Sequence, residues 1–270
     1  QAPIDAIVAA SGLINTGEIR YTPADGIPAL KQAIIRYTED FYGRVVAPEN
    51  VIASSGAKQA IMVALQAILN PQEELIYPAP YWVSYPDMAK LCGARGVAVV
   101  PEDGTFQPRL QDIEQVVGSY TKAVIINSPN NPSGAVYSEQ FIADIVEFSE
   151  KRDLYLIMDD IYHRLIFDGR RPINPYDYAK DKTENSKLIV INGVSKQYAM
   201  TGFRIGWAVA NKKLIKVMTN IQGHQTSGPS AICQRAAVGA INGLQTCVDG
   251  LRVTLENNRN IMMARLKSFN

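Results

Sequence analysis

The stretch NGVSKQYAMTGFRIGW (192–207) places Lys196 among small and apolar residues and adds Arg204 eight positions later. A lysine at the rim of a buried sheet loses hydration, which lowers its pKa and favours a nucleophilic amine. Schiff-base formation with a carbonyl is a recognised use of such an amine. A fixed arginine close by suits a phosphate. Asp159 ends the apolar run LYLIMD, where an unpaired carboxylate is costly to bury. It either caps the segment that follows or faces a cationic ring nitrogen. Tyr162, three residues on, shares its side of a helical turn. Asn131 in NSPNNPSG either shapes an Asn-Pro turn or donates a hydrogen bond to a phenolate-like oxygen. In SSGAKQAI, Gly56 and Ala57 stand at a strand-to-helix junction, where free N–H groups favour an anion, although a tight turn needs the same residues. Together these side chains describe a pyridoxal phosphate site. In such a site the lysine holds the aldehyde and the carboxylate keeps the pyridine nitrogen protonated.

The elements that must position them alternate in period. Seven apolar runs read as strands: VIAS (51–54), ELIYP (74–78), GVAVV (96–100), KAVIIN (122–127), LYLIMD (154–159), KLIVIN (187–192) and RIGWAVA (204–210). Helical periodicity fills most gaps, as in AKQAIMVALQAIL and SEQFIADIVEFSEK. Pro28 falls in the expected first turn of a helix through ALKQAIIRYTEDF. Continuous apolar strands separated by helices predict one α/β domain, a three-layer α-β-α sandwich around a mostly parallel seven-stranded sheet. Ligands collect at the carboxyl ends of such strands. The loops SSGAK, NSPNNPSG, DDIYH and NGVSK would therefore converge on one edge.

Composition narrows the function classes. With 27 basic and 26 acidic side chains in 270 residues, no strong field favours nucleic acid or an anionic membrane. No apolar run is long enough to span a bilayer, and the N-terminus lacks a signal-peptide pattern, so a soluble cytoplasmic protein is expected. Three dispersed cysteines, Cys92, Cys233 and Cys247, fit neither a disulfide framework nor a zinc site, and buried reduced thiols are expected. No metal site is read. Neither GxGxxG nor a Walker-type phosphate loop occurs. Both ends read as interrupted helices, which suggests a domain of a longer polypeptide.

The stretches RYTPADGIPALKQAI, SSGAKQAI, PAPYWVSYP, NSPNNPSG, DDIY and SKQYAMTGFRIGWAV lie in order between residues 20 and 210, and IQGHQTSGPSAICQRAA follows them. With these motifs the chain resembles the fold-type I pyridoxal-phosphate aminotransferases. It looks most similar to the aspartate aminotransferase branch, some of whose members also accept prephenate. The resemblance implies amino transfer between an L-amino acid, aspartate or glutamate, and a 2-oxo acid. Lys196 would form the internal aldimine and shuttle the Cα proton. Asp159 would pair with the ring nitrogen, while Tyr162 and Asn131 would bond the ring oxygen. Trp82 would stack on the ring, although by itself it reads as an ordinary core or surface aromatic. Gly56, Ala57 and Lys58 would offer N–H groups to the phosphate, with Arg204 closing on it. Lys58, Trp82 and Asn131 would face the substrate, and the Lys58 amine would meet its distal carboxylate. A solvated lysine at a helix start is the plainer reading of that residue. Tyr21, which carries no signal of its own, would reach the phosphate of a second subunit in a homodimer.

Two positions depart from the family pattern. Ala57 stands where glycine is common, and Gly193 where many relatives place a phosphate-contacting serine. No stretch matches the family's N-terminal arm or its C-terminal small domain, so residues 1–270 correspond to the large cofactor domain, with little or no activity expected of it alone. Two alternatives keep the same site: a β-eliminating C–S lyase, and the cofactor-binding domain of a transcriptional regulator.

Overall fold

The computed structural model describes residues 2–13, 16, 19–101, 104–180 and 184–269, the side chains of residues 2, 3 and 9 excepted. Its strands are β1 (Val51–Ser54), β2 (Glu74–Pro78), β3 (Arg95–Val99), β4 (Thr121–Ile126), β5 (Tyr155–Asp159), β6 (Leu188–Gly193) and β7 (Gly206–Val209). The helices are α1 (Ala2–Ser11), α2 (Pro28–Tyr42), α3 (Ala57–Ile68), α4 (Ser84–Leu91), α5 (Leu110–Glu114), α6 (Glu139–Lys151), α7 (Lys212–Gln225), α8 (Ala231–Asn242) and α9 (Thr246–Lys267). The strands form one sheet in the order β1-β7-β6-β5-β4-β2-β3. Strands β6, β5, β4, β2 and β3 run parallel, and β7 lies antiparallel to both β1 and β6.

Side chains that alternate along each strand feed two cores. Val124, Ile126, Leu156, Met158, Val190 and Trp207 point to the face covered by α2, α6 and α8. Ala123, Ile125, Ile157, Ile189, Ile191 and Ala208 point to the face under α3, α4 and α7. Period-two alternation with both faces buried is why these strands read as unbroken apolar runs. Pro28 takes the first turn of α2, and Gly43 ends that helix at φ 58°, its N–H bonding back to Glu39 and Thr38. Ser138 and Asn211 cap α6 and α7 through their side chains.

Three sequence expectations are corrected. The strand read at 96–100 is an edge, Arg95–Val99, and is largely uncovered rather than buried. The strand read at 204–210 shortens to Gly206–Val209, because Arg204 turns to φ 52° and leaves the ladder. Cys92, Cys233 and Cys247 are free but only half-buried. The C-terminal helical reading is realised as α9, which exposes apolar side chains such as Ile261, Met262 and Leu266. Among the described residues no helix is long and apolar enough to cross a membrane.

Candidate active site

The carboxyl ends of β1, β4, β5 and β6 open into one cleft of about 180 Å³. Ala57, Lys58, Trp82, Asn131, Asp159, Tyr162, Lys196 and Arg204 line it, so eight residues singled out on separate loops meet at one place. Gly56 joins them from below, since a Cβ added there would collide with the Arg204 guanidinium. Tyr21 does not enter the cleft. Its side chain is 97% exposed, in a surface depression shared with residues 226–232.

Asp159 closes the apolar end of the cleft. It is 4% exposed, and its Oδ2 accepts a 2.7 Å hydrogen bond from the Tyr85 hydroxyl. Its Oδ1 is buried with no hydrogen-bond partner among the described residues. Burial raises the carboxyl to about 6, while the Tyr85 hydroxyl and the Ile161 N–H act in the opposite direction. A buried, partnerless carboxylate oxygen is expensive unless something cationic or hydrogen-bonding meets it. The Asn127 side chain braces this strand end, donating to the Asp159 carbonyl at 2.7 Å and accepting from the Asn131 N–H at 2.8 Å. Asn131 in turn hydrogen-bonds the Tyr162 hydroxyl, whose pKa is raised by burial and then by the Asp159 charge.

At the opposite end, α3 begins at Gly56 with no side-chain cap, so its first N–H groups are left to whatever enters the cleft. Gly56 sits at φ 91° and ψ 160°, backbone open essentially to glycine alone. Arg204 holds the left-handed φ of 52° and anchors its guanidinium to the Thr201 carbonyl at 2.9 Å. A non-glycine residue held there over a helix N-terminus is local strain that aims a cation. Gly206 makes the junction possible, because a Cβ there would strike the Gly56–Ala57 backbone. Gly193 is explained in the same way. Its Cβ would press on the Ile205 carbonyl at 2.9 Å and the Gly206 Cα at 3.0 Å, so close approach of β6 and β7 excludes a serine.

Lys196 corrects one expectation. Its neighbours Ser195 and Gln197 are buried, but its own side chain is exposed at the mouth of the cleft. The loop after β6 turns the amine away from the sheet and toward the cavity. Its Nζ lies 5.7 Å from the centre of the Tyr162 ring, and the Lys58 Nζ lies 4.8 Å from that of Trp82. The site therefore runs from an uncapped helix start, past an exposed amine and a half-buried indole, to a buried carboxylate. Tyr85, Asn127 and Gly206 were missed in sequence, and Gly193 was noted only as a departure from the family pattern. Only the spacing of Tyr85, three residues after Trp82 on α4, offered any signal.

Residues 2–269 match the sequence model of the family described as aminotransferase class I and II. The chain belongs to this family. The aspartate aminotransferase of Bacillus subtilis (strain 168) is 35% identical over 265 residues, covering 98% of this chain and 67% of that relative. A probable aspartate/prephenate aminotransferase of Rickettsia bellii is 40% identical over 263 residues, covering 96% and 65%. The solved aspartate aminotransferase from Thermus thermophilus with maleate superposes with a TM-score of 0.90 at 32% identity, covering 98% of this chain and 69% of that one. The chain thus spans about two thirds of the length of these family members.

Proposed function

We propose that this chain carries the cofactor site of an aminotransferase that moves an amino group between an L-amino acid, aspartate or glutamate, and a 2-oxo acid. The observation that carries the reading is the buried, unpartnered Oδ1 of Asp159 in the cleft that also holds Lys196 and an uncapped helix start beside Arg204. Those residues fit pyridoxal phosphate, which when bound supplies a conjugated ring able to take up the electrons released from a substrate Cα. Asp159 would receive the ring N–H at Oδ1. The first N–H groups of α3 and the Arg204 guanidinium would hold the phosphate. Tyr162 and Asn131 would bond the ring oxygen, and Trp82 would cover one face. Lys196 would bind the aldehyde carbon through Nζ and, once released, carry the proton to and from the substrate Cα.

Lys58 at the rim supports an acidic substrate, since its amine is exposed beside Trp82 where a distal carboxylate could meet it. The maleate in the Thermus relative is itself a dicarboxylate. Tyr21 would serve the site of a second copy in a homodimer. On this reading residues 1–270 form the large cofactor domain. Among the described residues Arg204 is the one arginine lining the cleft, so no second guanidinium there clamps a substrate α-carboxylate. Turnover by these residues alone is expected to be weak.

The test is direct. The protein is mixed with pyridoxal phosphate, reduced with borohydride and mapped by mass spectrometry. The pyridoxyl group is expected on Lys196, and its appearance only on other lysines would break the mechanism. Release of ammonia rather than a new amino acid by the active enzyme would favour the eliminating alternative.

A further inference from the structure

Beneath the cleft lies a second set of polar side chains that the cofactor reading does not use. Tyr37, His163, Asn192 and Gln197 are each 3% exposed or less. Gln197 follows Lys196 directly, Asn192 is the penultimate residue of β6 before it, His163 follows Tyr162, and Tyr37 reaches in from α2. Buried polar groups in such a cluster must satisfy one another, so their protons can be counted.

The Gln197 Nε2 lies 3.1 Å from both the Asn192 Oδ1 and the Gly193 carbonyl, so it donates twice and the amide orientation is set. Its Oε1 then accepts from the Tyr37 hydroxyl at 2.8 Å. Having given away its only proton, the Tyr37 oxygen must accept from His163 Nε2, 3.1 Å away. His163 is neutral, because burial pushes it down to about 3. Its Nδ1 therefore carries a lone pair, which accepts from Asn192 Nδ2 at 3.0 Å. The other Asn192 proton goes to Tyr42, which donates to Asp160 at 2.9 Å. The Asp160 carbonyl also lies 3.1 Å from Nδ1 and keeps a second lone pair beside the bond from the His163 backbone N–H, so the choice of tautomer falls to the other partners. Moving the ring proton to Nδ1 would set two donors against each other and leave Gln197 Oε1 without its donor. The four side chains close a ring in which every hydrogen bond runs the same way round.

We propose that this ring of Asn192, His163, Tyr37 and Gln197 is the positioning device that registers the Lys196 loop against the loop carrying Asp159 and Tyr162. The proposal rests on the cofactor reading, since it gives Lys196 a partner to be positioned for. The need is visible in the fold. Lys196 itself is exposed, so the fold holds it through its backbone, and Gln197 does so by bonding back across the turn to Asn192 and Gly193. None of the four enters the cleft. They act through the lysine loop and are positioning residues.

Two measurements test this on the chain itself. The first is two-bond nitrogen–proton NMR of the histidines, of which there are two, His163 and the exposed His224. The expected result is a neutral, Nε2-protonated His163 that does not titrate between about pH 5 and 9. An Nδ1-protonated His163 overturns the ring. The second is the rate of borohydride-trapped pyridoxyl label on Lys196 in Tyr37→Phe and Gln197→Glu, each shown to be folded by near-ultraviolet circular dichroism. Label on Lys196 should form about tenfold more slowly or worse, because small misplacements of a reacting group cost rate steeply. Label on the exposed Lys216 should form at the unaltered rate. Folded variants that label Lys196 as fast as the parent refute the positioning role. Absence of label on Lys196 in the unaltered chain removes the cofactor reading and the positioning role with it, while the His163 tautomer still reports whether the ring exists.

Discussion

Replacing Asp159 with asparagine should stabilise this protein when no cofactor is bound, and only at neutral or alkaline pH. The carboxyl is 4% exposed and has one side-chain partner, the Tyr85 hydroxyl, which asparagine can still satisfy through its carbonyl oxygen. Burial lifts the group from 3.8 to about 6 in the folded chain. The folded state therefore binds this proton more tightly than the unfolded state. Its stabilising effect is full below the unfolded value and is lost as pH rises through about 6. At 1.36 kcal/mol per pH unit, the difference corresponds to about 3 kcal/mol of destabilisation by the ionised group at pH 8. Asp160 is lifted to about 7, first by burial and further by the Asp159 charge, so removing that charge relieves its neighbour as well. Urea unfolding of Asp159→Asn should show a gain of about 1 to 3 kcal/mol at pH 8 and almost none at pH 4. The same variant should bind pyridoxal phosphate at least tenfold more weakly, a loss of about 1.4 kcal/mol, because the amide cannot hold a ring cation. A variant less stable than the parent at pH 8, or an equal gain at both pH values, would refute the view that this carboxylate is kept in an unfavourable place for a ligand.

Two further substitutions probe the ends of the cleft. Tyr85→Phe removes the one side-chain donor to Asp159, so the carboxyl should titrate higher still by carbon-13 NMR, and stability at pH 8 should fall by about 1 to 3 kcal/mol. Gly56→Ala puts a side chain at φ 91° and against Arg204, whose flexible end can yield. Calorimetry should show a fold weakened by about 1 to 3 kcal/mol, and pyridoxal phosphate titration a loss of affinity of about tenfold or more.

Much of the architecture was legible because its signals are local. Two buried sheet faces force unbroken apolar strands, and each strand was found from that pattern. The failures at 96–100 and 204–210 have one kind of cause. A strand's neighbours decide whether it is an edge, and the need to aim Arg204 overrode the β pattern of RIGWAVA. The loops that carry the site residues were also readable, since the rule that ligands gather at strand carboxyl ends needs only the order of elements.

The amino-acid sequence by itself determined which chemistry is available: one lysine, one arginine, one strand-end aspartate and an uncapped, glycine-led helix start, all held on loops of a single sheet. Only the tertiary structure decided how each group stands. It left Lys196 exposed where burial was expected, gave Asp159 a tyrosine partner from a distant helix, and joined Tyr37 to Gln197 across 160 positions of chain. The reason is physical. Residue type and spacing fix what a side chain can donate, accept or carry, whereas exposure and partnership depend on packing between segments far apart in sequence.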